Sequence, residues 1–463
     1  MKKPLIFLLL TLLPFSVCSA LEQRQESSSK QYAYGTKSTY QPHASPANYQ
    51  PIPSGYHIVY TELLSRHGSR ALSSPKYDVI SLQIWQAAKA QHALTPLGER
   101  LGPEIERFMA ANQKLGYGNL SERGKLEQTM IGARLVARDK HLFDNAVHNN
   151  RPIDMEYSGR ERAKDSGLAF ISGMEYENPA IGDLTSPPII DKAQLYFHKQ
   201  ESNQYYQDYK KKDPDLRAAI QQLMNLPETH DMAQQMLERI YTPAFVAQLT
   251  SGKLSFLPKN KKKPVVYNDV DAAIQLFNLY LAAPGLSYEA GKQPWRFIDF
   301  VTPAESQWFT YVLDGKHFYE KGPSFKGTDI TYRMAKVLED DFFKEIKGIQ
   351  DGTNKKAAKI RFAHAETVIP FAAQMRLKGS TEGVAKGQLY SYENNPWRGD
   401  WVSPYSANIQ WDVYQNKAGT LLVRMLYNEE EIPFPSQCQP IQPGSYFYQF
   451  TELERCYGEQ AQS

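Results

Sequence analysis

The chain has 463 residues, more than one hydrophobic core usually organises, so two domains or one domain with a large insert is expected. Hydrophobic residues make up 41% and charged residues 22%, which excludes a disordered chain. The net charge of +3 excludes broad electrostatic attraction to nucleic acid or a membrane, so any hold on an anion must come from local placement of Arg and Lys.

In chain order, Lys2 and Lys3 precede an apolar run at 5–17 and the small residues Cys18-Ser19-Ala20. This predicts a signal peptide at 1–20, cleaved after Ala20, since the run is too short for a comfortable membrane span. The alternative is a lipid attached at Cys18, which Val17 before it fits poorly. The mature protein is expected to be exported, periplasmic or secreted, with no membrane span. Residues 21–54 are rich in Gln, Ser, Tyr and Pro and are expected to form an irregular N-terminal extension.

A β-rich run at 57–64 follows Pro53 and Gly55 and leads into Ser65 and the cluster Arg66-His67-Gly68-Ser69-Arg70. Thr95 and Pro96 open a helix as cap and first residue. A second helix opens at 120–124 and continues through Leu126, Met130, Ile131 and Leu135 at helical spacing. Residues 155–158 form a short predicted strand, and 162–174 a helix.

Residues 175–338 are charged and aromatic, with helical periodicity at 216–224, 232–240 and 271–282, and are expected to form a mostly helical insert or cap. A strand returns at 359–363, followed by His364-Ala365-Glu366 and an amphipathic helix at 367–377. A β-rich tail includes 421–426 and both remaining cysteines. Cys438 and Cys456 form one disulfide or stay as two thiols, and their spacing does not suit zinc. There is no internal repeat. The pattern predicts an α/β domain assembled from 55–174 and 339–463. Open α/β sheets bind ligands at the carboxyl ends of their strands, where both His67 and His364 fall.

The chemistry is concentrated in three clusters. A neutral imidazole is a competent nucleophile toward phosphorus, and arginines flanking His67 oppose its protonation. Arg66 and Arg70 can also grip phosphate oxygens in fork geometry. Arg-His-Gly-x-Arg arises by chance in roughly one chain in several hundred of this length. A basic surface turn would explain the arginines but not their place after a β run. Ser158-Gly159-Arg160-Glu161-Arg162 opens a helix and offers a further arginine to the same anion. His364 would lie near the phosphate. Glu366 could protonate a leaving alkoxide, or merely favour the first helical turn.

Ser-Arg-His-Gly-Ser-Arg, the Ser-x-x-x-Arg-x-x-x-Ser run at 158–166 and the later His-Ala-Glu resemble the histidine acid phosphatase branch of the histidine phosphatase superfamily. His-Ala-Glu in place of His-Asp is similar to the multiple inositol polyphosphate phosphatase group, as are 318–323, 328–335 and 427–430. The resemblance runs from about residue 56 to residue 456, in the expected order.

It implies a phosphoglycerate-mutase-like three-layer α/β/α domain with a helical cap. It implies that His67 forms a transient phosphohistidine and that Arg66, Arg70, Arg162 and His364 bind the phosphoryl group. Glu366 would donate the proton, and no metal or other cofactor would be required. Arg162 rather than Arg160 takes the family's arginine position, which leaves Arg160 for an outer phosphate.

One departure is Ala71-Leu72, where the family often has a pocket-shaping Tyr. The lysines of 259–263 and 210–212 could meet further phosphates, or form solvated loops. His57, His92, His141, His148, His198, His230 and His317 show no metal spacing and read as ordinary surface or core histidines. The expected activity is a phosphomonoesterase on inositol polyphosphates, phytate first among them, with no nucleic-acid partner. The rivals are a broad acid or sugar phosphatase, a non-catalytic binder of phosphorylated ligands, and a mutase-type transferase, which export and His-Ala-Glu argue against.

Overall fold

The computed structural model describes residues 32–258 and 262–460. The signal segment at 1–20 and the start of the extension, 21–31, lie outside the described residues. An eight-stranded sheet forms the centre. Its strands are β1 His57–Arg66, β2 Ile153–Tyr157, β3 Ile189–Ile190, β4 Ala358–Ala363, β5 Asn408–Gln415, β6 Leu421–Tyr427, β7 Glu430–Ile432 and β8 Phe447–Gln449. The order across it is β3-β2-β4-β1-β5-β6-β7, with β8 paired to β6. β1 to β4 pair in parallel, whereas β5 runs antiparallel to β1.

The chain also forms α1 Lys76–Ala90, α2 Pro96–Leu115, α3 Glu122–Arg138, α4 Glu161–Glu177, α5 Asp269–Ala282, α6 Pro303–Lys321, α7 Lys336–Gln350, α8 Ala365–Gln374 and α9 Phe450–Gln460. Further short helices lie between residues 192 and 250. The helix starts follow their caps: Thr95 Oγ1 accepts from Gly98 N and Ser121 Oγ accepts from Gly124 N. No helix among the described residues is long and apolar enough to cross a membrane.

Alternation along β1 sends Leu63 to one face and Tyr60 and Leu64 to the other. Leu63 joins Met155, Ile360 and Phe362 beneath Ile131, Leu135 and Phe170 of α3 and α4. Tyr60 and Leu64 join Ile409 and Trp411 beneath Phe342 of α7 and Val368 of α8. These are the three layers expected from the resemblance.

A separate core forms away from the sheet. Ile84, Leu101 and Phe108 of α1 and α2 pack there with Met236, Phe245, Phe277 and Phe300. Residues 175–338 are therefore shared between two cores, because Leu195, Tyr206, Leu223 and Phe318 belong to the sheet's own cluster. The insert also lends β3 to the sheet edge.

Three features differ from the sequence reading. α1 and β5 were not anticipated. The tail is not wholly β, because Cys456 lies on α9 and is bridged to Cys438, with Cα atoms 5.3 Å apart. Lys359 and Arg361 of β4 are both buried. Arg361 pairs with Glu62 at 3.0 Å and with Asp341 at 2.5 Å, and Lys359 with Asp341 at 2.8 Å. Buried charges persist only when paired and hydrogen-bonded in this way.

Candidate active site

The parallel register brings the chemistry together. Arg66 lies opposite Ala363, and Tyr157 opposite Phe362, so β1, β2 and β4 end side by side. The next residues along each strand are His67, Ser158 and His364. Their backbones stay in the ladder: His67 N donates to Ala363 O at 3.0 Å and Ser158 N to Phe362 O at 3.1 Å. α4 and α8 then carry Arg162 and Glu366 in their first turns.

His67 is buried, and its Nδ1 lies 2.9 Å from Gly68 O. A carbonyl only accepts, so Nδ1 carries the proton and Nε2 holds the lone pair. Burial first, then Arg162, Arg70 and Arg66, hold the imidazole well below its ordinary pKa, so it is neutral. The nucleophile expected from sequence therefore has the tautomer that an attacking Nε2 needs.

Arg66 is buried and anchored at one nitrogen: Nη1 donates to Thr36 O at 2.6 Å and to Ser403 O at 2.5 Å. Its guanidinium rests 4.7 Å from the centre of the Tyr405 ring. Burial lowers the pKa of Arg66, and of Arg162, to about 10, so both stay charged. Arg70 Nη1 donates to Ala71 O at 2.7 Å. The Nε atoms of Arg66, Arg70 and Arg162 are all buried without a protein partner. Three guanidiniums with an unused donor around one imidazole could hold an anion.

His364 is occupied by its neighbours. Arg162 Nη2 is 3.3 Å from His364 Nδ1, and Ser158 Oγ is 2.7 Å from Nε2. A guanidinium only donates, so Nδ1 accepts and Nε2–H points at Ser158. His364 thus orients Arg162 toward the pocket. The serines at both ends of the 158–166 run are accounted for: Ser158 holds His364, and Ser166 Oγ accepts from Gly68 N at 3.1 Å. Arg160 is exposed and does not line the cavity.

The loop after β1 is fixed from behind. Glu127 of α3 accepts from Ser69 N at 2.9 Å, Ser69 Oγ at 2.7 Å and Ser406 Oγ at 2.9 Å. Gly68 and Gly124 let the loop and α3 touch: a Cβ on Gly68 would lie 2.4 Å from Gly124 O, and one on Gly124 2.1 Å from Ser69 O.

The cavity holds about 350 Å³ and is lined by seven cations: Lys37, Arg66, Arg70, Arg162, Lys199, Lys210 and Lys321. Glu366 is the single carboxylate on its wall. Lys321 Nζ lies 2.9 Å from Glu366 Oε1. Burial alone would push the Glu366 carboxyl up, but Lys321 and then His198 draw it well below the usual range. Lys37 is itself far below an ordinary lysine, through burial and then through Arg70 and Arg66.

Several of these residues were not legible in sequence. His198 and His317, read as ordinary histidines, both line the cavity. So does Lys37, from a segment read only as irregular. Lys321 lies in a stretch that carries the family resemblance, yet nothing in its spacing announces a role. Of the lysine runs, Lys210 lines the cavity, Lys211, Lys212, Lys262 and Lys263 are exposed, and Lys259 and Lys261 lie outside the described residues.

The geometry agrees with comparison to known proteins. Residues 58–428 match the family described as the histidine phosphatase superfamily (branch 2). A multiple inositol polyphosphate phosphatase from Bifidobacterium longum in complex with inositol hexasulfate is 31% identical, with a TM-score of 0.85 over 92% of this chain and 97% of that one. The same enzyme in complex with phosphate gives a TM-score of 0.86 over 93% and 98% at the same 31% identity. A phytase from D. castellii is 14% identical with a TM-score of 0.63 over 92% and 84%, a likeness of fold. Sequence, fold and the geometry around His67 converge: the chain belongs to the histidine phosphatase superfamily, branch 2, and is a phosphomonoesterase.

Proposed function

We propose that the protein is an exported phosphatase of inositol polyphosphates, with phytate as its leading substrate. The observation that carries this reading is the cavity wall, seven cations against one carboxylate around a neutral histidine, in a chain whose net charge is only +3. A single phosphate needs two or three of those cations, and the surplus suits a substrate with several. Inositol hexasulfate, bound by the B. longum enzyme, carries six anionic groups on the same ring and supports the reading.

Arg66, Arg70 and Arg162 hold the transferring phosphoryl group, with His364 keeping Arg162 in place. His67 Nε2 bonds to phosphorus as the ester P–O bond breaks, and Glu366, protonated for this step, gives its proton to the leaving oxygen. Water then attacks the phosphohistidine, its proton passes to the Glu366 carboxylate, the N–P bond breaks and phosphate leaves. The arginines supply the charge stabilisation. Residues 175–338 serve as the cap, contributing His198, Lys199, Lys210, His317 and Lys321 to the far wall. The Cys438–Cys456 disulfide and the signal-like N-terminus support export.

The test is to incubate the protein with phytate without added metal, separate the products over time, and compare a simple sugar phosphate. Stepwise loss of phosphate at a rate above that on the sugar phosphate is expected, together with abolished turnover in His67→Ala. Phytate that binds without release of phosphate, or a His67→Ala variant with near-normal turnover, overturns the reading.

A further inference from the structure

Paired with a buried ammonium, Glu366 is a carboxylate, the form that cannot protonate a leaving group. The pairing is specific. Lys321 ends α6 with its side chain 7% exposed, whereas Glu366 is 35% exposed. Among the described residues Glu366 is the one hydrogen-bond partner of Lys321, so one of the three ammonium donors is used and two remain. Lys321 lines the same cavity as His67, Arg70 and Arg162. Beside the pair, His198 Nδ1 is buried without a partner, and His198 lines the same cavity. That wall therefore holds more polar capacity than the protein itself satisfies.

We propose that Lys321 is a positioning residue that senses the substrate: a second phosphate, beside the one being transferred, draws the Lys321 ammonium from Glu366, which then takes up the proton it delivers. This rests on the proposed function above. Lys321 keeps all its protons and exchanges an N–H···O contact to carboxylate for one to a phosphate oxygen. Glu366 takes one proton from solvent. That proton passes to the ester oxygen as the P–O bond breaks and the His67 N–P bond forms, and Glu366 returns as a carboxylate to Lys321. Proton donation is thereby coupled to a property of the substrate, its neighbouring phosphate, rather than to bulk pH.

Other charges face Glu366. His198, Lys210 and His317 do so from residues 175–338. Arg66, Arg162 and His364 do so from the sheet side, and Lys37 from the N-terminal segment. Among the described residues only Lys321 hydrogen-bonds to the Glu366 carboxylate, and it is the strongest of the charges that keep the carboxyl ionised. Tyr206 faces it as a neutral phenol, since burial and then Glu366 raise its pKa.

The test compares phytate with glycerol 2-phosphate, which needs a proton donor but has no second phosphate, and with p-nitrophenyl phosphate, whose leaving group needs no acid. In the wild-type enzyme the alkaline limb of kcat should lie higher on phytate than on glycerol 2-phosphate by about one pH unit or more. Lys321→Met should raise the glycerol 2-phosphate limb by a similar amount and lower the phytate preference in kcat/KM by about tenfold or more. The same variant should cost more on phytate than on p-nitrophenyl phosphate, and Lys321→Arg should keep the preference.

Coincident limbs in the wild type overturn the proposal without any variant, and a uniform loss on all three substrates in Lys321→Met also overturns it. Failure of the wild type to cleave phytate at all would instead defeat the proposed function.

Discussion

At the scale of single residues, the site works by deciding who carries a proton. His67 is kept neutral by burial and by three arginines, and the Gly68 carbonyl selects its tautomer. Because its pKa lies well below the ordinary value, the lone pair persists as pH falls through the range where a free histidine would become charged. With histidine-labelled protein, the His67 ring-nitrogen NMR shifts should stay those of the neutral imidazole from pH 7 down to pH 5.5. A transition centred near pH 6.5 would show that the arginines do not govern it.

Arg66, His67 and Arg70 were legible because they are neighbours in the chain and their chemistry is explicit in the motif. Lys37, His198 and Lys321 were not, because each reaches the cavity from a different segment and a lone Lys or His carries no local signature. The double tie of His364 to Ser158 and Arg162 also needed the structure, since it depends on which ring nitrogen faces which strand.

At the scale of elements, the site follows from three parallel strands ending in register. The sequence pattern located those strands to within a few residues, and the turn into helix after each of β2 and β4 placed Arg162 and Glu366. The pattern was blind to Lys359 and Arg361, whose charge argues for a solvent face. Only their pairing with Glu62 and Asp341, far away in sequence, allows them inside.

The contact between the β1 loop and α3 is equally non-local. Gly124 meets Ser69 O so closely that a Cβ there must displace the loop that presents His67. Gly124→Ala should therefore lower kcat on p-nitrophenyl phosphate by about 10²-fold, the cost of moving a reacting group by about an ångström. The same substitution favours the helix locally by less than about 1 kcal/mol. An active, folded Gly124→Ala variant would mean that α3 yields instead of the loop.

At the scale of the whole molecule, the chain passes between two cores more than once. α1 and α2 pack with Phe277 and Phe300, while Leu195 and Phe318 of the inserted region pack under the sheet. The length anticipated more than one core, yet the boundary between them does not follow the chain, because the cores are assembled by packing rather than by sequence order.

The disulfide belongs wholly to the sheet's side. Cys438 and Cys456 both sit in that cluster, and neither lines the cavity. A bridge across 18 residues restricts the unfolded chain by about 3 kcal/mol. Replacing both cysteines by Ala should accordingly lower unfolding stability by about 3 kcal/mol in a denaturant titration of a cooperative unit. It should leave kcat on p-nitrophenyl phosphate at 25 °C unchanged, because the strand ends that carry His67 and His364 are tied by the β1–β4 ladder rather than by the bridge. A parallel fall in kcat would show that α9 and its bridge support the catalytic strands directly, and that the sheet transmits strain from its far edge to the site.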